Sequence, residues 1–201
     1  MEELGRPEDA DDAAELLYET DREFFAYLSN GDRPSLLRLF ADEWRRPGSP
    51  LHHSFARVVR EGGRVVGLLV GYTQAEHAGL DFAAMGSGSE GLPGGFLDHL
   101  HRVYAVAQYL FPAVPPAAFY VQNLAVAPDH RGQGLGGQLM AGAFERARSL
   151  GCTACHLDVD SQNPAVRVYE HLGMRVLVET RVPELAACGT PTHFRMVREL
   201  G

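Results

Sequence analysis

Apolar residues near the start of the chain recur with a helical period. Between Asp9 and Leu28 they fall at Ala13, Leu16, Leu17, Phe24 and Leu28 behind an acidic first turn, predicting one helix that Asn30-Gly31 ends. Ser35 to Trp44 repeats the pattern, and Pro47-Gly48-Ser49-Pro50 breaks the chain after it. Two helices therefore open the chain, after at most a short first strand. The period then shortens. Arg57 to Arg60 and Arg64 to Tyr72 are β-branched runs joined at Glu61-Gly62-Gly63, a hairpin pattern. Phe119 to Val126 reads as a strand. Leu135, Leu139, Met140, Ala143, Phe144, Ala147 and Leu150 then place one apolar stripe on a helix that Gly151 terminates. Cys155, Leu157 and Val159 alternate on a further strand. Asn163 follows as N-cap, Pro164 as first helical residue and Gly173 as the end of a short helix. Met174 to Thr180 and Thr192 to Val197 finish as strands. This order predicts an α/β fold, a mixed central β-sheet flanked by helices on both faces.

The stretch 75–117 is less regular. "GSGSEGLPGG" reads as a flexible loop and Phe96 to Leu110 as a helix, an insertion that is either a lid or specificity element or a solvated insert without a role. A chain of 201 residues supports a single domain over its whole length. No apolar run approaches a membrane span, and the acidic start "MEELGRPEDADDAAELL" lacks the regions of a secretory signal, so a cytoplasmic protein without a membrane partner is expected. The net charge of -8 repels a phosphate backbone, which argues against nucleic acid and suits a cationic acceptor better. Cys152 and Cys155 form a C-x-x-C, but where a strand begins; with Cys188 the count is odd, and they read as strand or core thiols. Of the nine histidines, His52-His53 and His99 with His101 invite a metal reading. Neighbours on a strand and i, i+2 pairs on a helix point apart, and no carboxylate completes the spacing, so no metal is expected.

"AVAPDHRGQGLGGQLM" contains G-x-G-x-x-G at Gly132, Gly134 and Gly137. A dinucleotide fingerprint has its first glycine directly after the first strand of a βαβ series. Here Pro128 to Arg131 intervene, too little chain follows for such a series, and the preceding hairpin is antiparallel, so a nicotinamide-linked oxidoreductase fails on context. A strand, a glycine loop and a helix start still form an anion site. Backbone N–H groups lie open there, the helix dipole adds positive potential, and a pyrophosphate fits.

Arg131-Gly132-Gln133-Gly134-Leu135-Gly136 resembles the R/Q-x-x-G-x-G/A motif of the GNAT superfamily of acyl-coenzyme A dependent N-acetyltransferases. "LDVDSQNPAVRVYEHLGM" is similar to the strand and helix that follow it in that family, and the match runs from Phe119 to Val176. The resemblance implies a GNAT fold and transfer of an acetyl group from acetyl-CoA to a primary amine by direct attack in a ternary complex. It implies that the backbone of Leu124, Ala125 and Val126 holds the thioester carbonyl and pantetheine arm. Arg131, Gly132, Gln133, Gly134, Leu135, Gly136 and Gly137 would bind the pyrophosphate, Asn163 would contact the pantetheine, and Tyr169 would be the general acid. Read alone, Asn163 equally caps its helix and Tyr169 equally fills a core.

Many members of that family carry a Glu on the strand before the loop, where this chain has Gln122 and Asn123. Neither amide titrates, so the base is expected elsewhere: Asp158 first, with Glu76 or His77 beyond the hairpin as further candidates. Asp158 has an alternative as a strand-end carboxylate making local hydrogen bonds. The missing acid also leaves open a non-catalytic acyl-CoA-binding regulatory module of the same fold. The acceptor is a small-molecule or peptide amine, and a homodimer is a family-level expectation.

Overall fold

The computed structural model describes residues 2–186, 189 and 192–201; Cys188 lies outside the described residues. In chain order the elements are β1 (Glu2–Leu4), α1 (Ala10–Glu19), α2 (Arg22–Leu28), α3 (Arg33–Arg45), β2 (Ala56–Glu61), β3 (Arg64–Thr73), α4 (Gln74–His77) and α5 (Phe96–Ala107). They continue with β4 (Ala118–Val126), α6 (Leu135–Ser149), β5 (Ala154–Asp160), α7 (Ala165–His171), β6 (Arg175–Thr180), α8 (Pro183–Ala186) and β7 (His193–Glu199). The strands form one seven-stranded sheet in the order β1-β2-β3-β4-β5-β7-β6. Every pairing is antiparallel except β4 with β5.

Alternation along the strands divides the core between the two faces of the sheet. On one face Leu68, Val70, Tyr72, Tyr120 and Ala125 pack with α1, α2, α3 and α5. On the other, Leu69, Phe119, Val121, Leu157 and Val159 pack with the α6 stripe and with Tyr169 of α7. The mixed sheet with helices on both faces is thus the observed architecture.

Three local expectations need correction. The single helix over Asp9 to Leu28 is two, because Asp21 turns its carboxylate onto the Phe24 N–H at 3.1 Å and starts a new helix as an N-cap. Its helical apolar spacing concealed the break. The cap of α7 is Pro164, one residue later than expected, although Asn163 Oδ1 still accepts from the Ala165 N–H at 2.9 Å. His52 and His53 stack with ring centroids 4.1 Å apart, since they enter a 3-10 turn and not a strand.

Much of the stretch 75–117 belongs to the core. Phe96, Leu100, Val103 and Ala107 of α5 are buried against the first three helices. The preceding loop is fastened by Glu43, buried on α3, whose Oε1 accepts from the Gly86 N–H at 2.9 Å and from Arg46 Nε at 3.0 Å. Its other oxygen accepts from Arg46 Nη2 at 2.7 Å. Replacing Glu43 by Ala leaves a buried N–H without an acceptor and a half-buried guanidinium without its counter-charge. Glu43→Ala is expected to cost about 2–3 kcal/mol in urea unfolding and to expose residues 81–91 to limited proteolysis. An unchanged midpoint would show that the loop is held by its apolar contacts alone.

Candidate active site

β4 keeps its antiparallel neighbour along its whole length but loses its parallel one halfway. Pairing with β3 runs from Phe119↔Thr73 to Val126↔Gly67, whereas pairing with β5 stops at Val121↔Leu157. Beyond that point β5 pairs only with β7, up to Asp160↔His193. The residues from Gln122 to Val126 therefore carry an open strand edge inside the sheet, facing the far end of β5. A bulge sits at the point of separation. Asn123 opposes Val70 and Val121 opposes Gly71, so Gln122 is skipped, and the added twist turns β4 away from β5. Gly71 is needed beside it because a Cβ there would lie 2.8 Å from the Phe119 ring.

The open edge runs into the glycine loop. Gly132 and Gly134 have φ of 76° and 82°, the left-handed region, and Gly134 is the N-cap of α6 with no side chain bonded to the helix start. A Cβ on Gly136 would meet only Val126 Cγ2, at 3.8 Å, and one on Gly137 nothing within 4 Å. Packing does not demand glycine at those two positions. What they provide is unobstructed access to the first N–H groups of α6, which the helix itself cannot satisfy. The cradle fits a pyrophosphate. Gln133 is exposed and Leu135 half-buried against the core. Arg131 reaches away toward α1: its Nε donates to the Val126 carbonyl and its Nη2 to Glu19 Oε2, both at 3.0 Å.

The turn after β5 leads through Asn163 into α7, which carries Tyr169. Tyr169 is buried among the residues that also hold α6, and burial pushes its phenol up to about 12. Asp158 lies at the mouth of the gap with its side chain 2% exposed. Its Oδ1 accepts from Arg195 Nε at 2.7 Å, and its Oδ2 from Arg195 Nη2 at 2.6 Å and Tyr120 Oη at 2.8 Å. Both oxygens are occupied. The candidate Glu76 is exposed and accepts through Oε2 from the Thr73 N–H and hydroxyl in a capping box.

The bulge sends Gln122 and Asn123 to the same face. Gln122 Oε1 accepts from Tyr72 Oη at 2.8 Å, and Asn123 Nδ2 donates to Thr20 Oγ1 at 3.3 Å while its Oδ1 is buried without a partner. His77 stands over the same aromatic group, with ring centroids 5.6 Å from Tyr72 and 6.1 Å from Tyr120. Burial and then the Arg195 charge lower its pKa below the ordinary 6.5. Tyr72, Tyr120 and Arg195 were not singled out from sequence. Only the strand order, which sets Arg195 opposite Asp158, brings them together. Among the described residues no three His, Cys, Asp or Glu side chains converge as a metal-ligand set, and no helix is long and apolar enough to cross a membrane.

Known proteins resemble this chain in sequence or in fold. Over 77 residues the chain is 31% identical to the thialysine N-epsilon-acetyltransferase of Sus scrofa, a match that spans 38% of this chain and 45% of that enzyme. An N-acetyltransferase from Staphylococcus aureus Mu50 superposes with a TM-score of 0.71 at 16% identity, covering 98% of this chain and 100% of that one. A second acetyltransferase structure gives 0.68 at 19% identity with both chains fully covered. At such identities the structural likenesses establish the fold alone. The model of the Acetyltransferase (GNAT) family matches residues 14–174, and with the open β4 edge and the glycine cradle inside that span, the chain belongs to this family.

Proposed function

We propose that this chain transfers an acetyl group from acetyl-CoA to a primary amine, the amine attacking directly while both substrates are bound. Members of the family use acetyl-CoA as cosubstrate. The observation that carries the reading is the open β4 edge leading into the uncapped start of α6. The edge suits an extended arm with amide groups and the helix start suits a pyrophosphate, in the order coenzyme A presents them. The bound thioester supplies an activated acyl carbon. The backbone of Leu124, Ala125 and Val126 pairs with the arm, the amides from Arg131 to Gly137 receive the phosphates, and Asn163 meets the arm from across the gap.

Tyr169 is the proton donor. A phenol raised to about 12 keeps its proton below that pH, so the donor form persists through neutrality and is available to a departing thiolate. Asp158 serves as a brace: Arg195 and Tyr120 engage both of its oxygens in a side chain 2% exposed, which favours holding the strands over taking an amine proton. His77 takes the base role, directly or through water, because its lowered pKa keeps the imidazole neutral near pH 7. A small cationic amine fits the net charge of -8, and thialysine, the acceptor named for the Sus scrofa relative, is of that chemical kind.

Calorimetric titration with acetyl-CoA, followed by thiol release against a panel of amines, tests the reading. Binding with turnover supports it, binding with every amine inert favours the non-catalytic module, and absence of binding removes both. Tyr169→Phe is expected to lower kcat by about 10² with coenzyme A affinity nearly unchanged. Parallel loss of both would contradict the donor role.

Gly137→Leu isolates the cradle, because position 137 has room for a side chain and no left-handed φ. The variant should melt no lower than the parent, since leucine favours a helix over glycine by roughly 0.5–1 kcal/mol. Its coenzyme A affinity should nevertheless fall about tenfold or more as the side chain covers the amides. Retained affinity would put the pyrophosphate elsewhere.

For the base, activity should decline on an acid limb below pH 6.5, as His77 gains a proton and can no longer accept one. His77→Gln should abolish that limb and lower the plateau. An unmoved limb in the variant would assign it to another group.

A further inference from the structure

Three consecutive residues at the junction of α1 and α2 each reach a different part of the site. Glu19 Oε2 accepts from Arg131 Nη2 at 3.0 Å, Thr20 Oγ1 accepts from Asn123 Nδ2 at 3.3 Å, and Asp21 Oδ2 lies 3.9 Å from His193 Nε2. These partners belong to the glycine loop, the bulged strand and the strand beside β5. Arg131 opens the loop whose amides the reading above assigns to the pyrophosphate, yet its guanidinium here rests on a carboxylate of α1. A phosphate that draws the guanidinium toward the loop competes with Glu19 for it.

The exchange between them requires little rearrangement. The guanidinium is a rigid plane, so leaving Glu19 also means turning about its Nε bond to the Val126 carbonyl or giving that bond up, a movement confined to one exposed side chain. Glu19 keeps a second cation when Arg131 departs, with Arg22 Nε 3.3 Å from its Oε1, and is not left as a lone half-buried carboxylate. The Arg131 side chain is 53% exposed and that of Glu19 12%, so the cation is the partner placed to move.

We propose that Glu19 is a built-in competitor for Arg131, tying the cofactor loop to the α1–α2 junction until a pyrophosphate takes the guanidinium. The inference rests on the coenzyme A reading. A ligand that draws the guanidinium off Glu19 frees the junction whose next residue holds Asn123. Loading of the cofactor loop is in this way transmitted to Asn123 of the bulged strand.

Titration with coenzyme A itself supplies the test. Glu19→Gln is expected to tighten binding by about two- to fivefold, the range an exposed ion pair is worth, and the gain should vanish in an Arg131→Ala background. Removing any acid near a polyanion also helps binding through space, and Glu15→Gln controls for this. Glu15 lines the same cleft of about 600 Å³ as Glu19 but pairs with Arg33, so its removal should change affinity by less than about twofold. An equal gain from Glu15→Gln, a gain that survives loss of Arg131, or no gain from Glu19→Gln would each overturn the competition.

Hydrogen exchange at the amides of residues 20–25 checks the transmission. Coenzyme A should speed exchange there in the parent protein, and Glu19→Gln should show the faster exchange without ligand. Exchange unaltered by both would overturn the link to the junction. If coenzyme A binds the parent protein while these variants fail to behave as stated, the competitor is wrong and the cofactor reading stands; if the parent protein itself gives no binding, both fall.

Discussion

Skipping one residue in the register between β3 and β4 reverses which side chains of β4 face which layer of helices. Before the bulge Tyr120 points to the layer of α1 and Val121 to that of α6; after it Ala125 takes the first direction and Leu124 the second. An uninterrupted strand would have sent Leu124 toward α1 and Asn123 toward α6. With the bulge, Gln122 and Asn123 both reach the α1 face, where Tyr72 and Thr20 receive them. The same local twist ends the pairing of β4 with β5. One extra residue thus opens the strand edge and gathers polar groups on one side of it.

Around that opening the structure keeps charge where solvent does not reach. Asp158 and Arg195 lie opposite each other on β5 and β7, and both are buried. Burial of such a pair is costly unless its hydrogen-bonding capacity is filled, and here it is: Tyr120 adds a donor to the carboxylate, while the carbonyls of Pro112 and Ala113 accept from the guanidinium. Three strands and the segment leading into β4 are bound at one point. A gap in a sheet would otherwise be free to close or widen, and this cluster fixes β5 on one side of it as the hairpin fixes β4 on the other.

Period and punctuation made most of the elements legible. The hairpin announced itself through Gly62-Gly63, and the α6 stripe falls where the spacing put it up to Ala147, while Leu150 is the exposed C-cap before Gly151. What escaped depends on contacts between distant residues. The division of the first helix at Asp21 obeys a capping bond that its helical apolar spacing conceals. Of the candidate site, the glycine loop 131–137 and the turn at Asn163 are local elements legible in the sequence, whereas the open β4 edge depends on pairing with β3 and β5 and only the family resemblance pointed to that strand. The occupied state of Asp158 was not, since Arg195 is 37 residues away and becomes its neighbour only through strand order. The position of β7 between β5 and β6 has no signature in the alternation of either strand.

That strand order has a bearing on how the molecule is assembled. β6 precedes β7 in the chain but hydrogen-bonds to the sheet only through it, so it has no place to dock until residues 193–199 have been made. The parallel pair of β4 and β5 is short, and the antiparallel partner that secures β5 is the same late strand. Until it arrives, Asp158 lacks the cation that makes its burial tolerable. During synthesis every strand of the β1–β4 half is present once Val126 has been made, whereas the half bearing Asn163 and Tyr169 waits for residues 193–199. The insertion of one strand then completes both the sheet and the gap in it, so that a chain able to bind in this gap is one whose folding has finished.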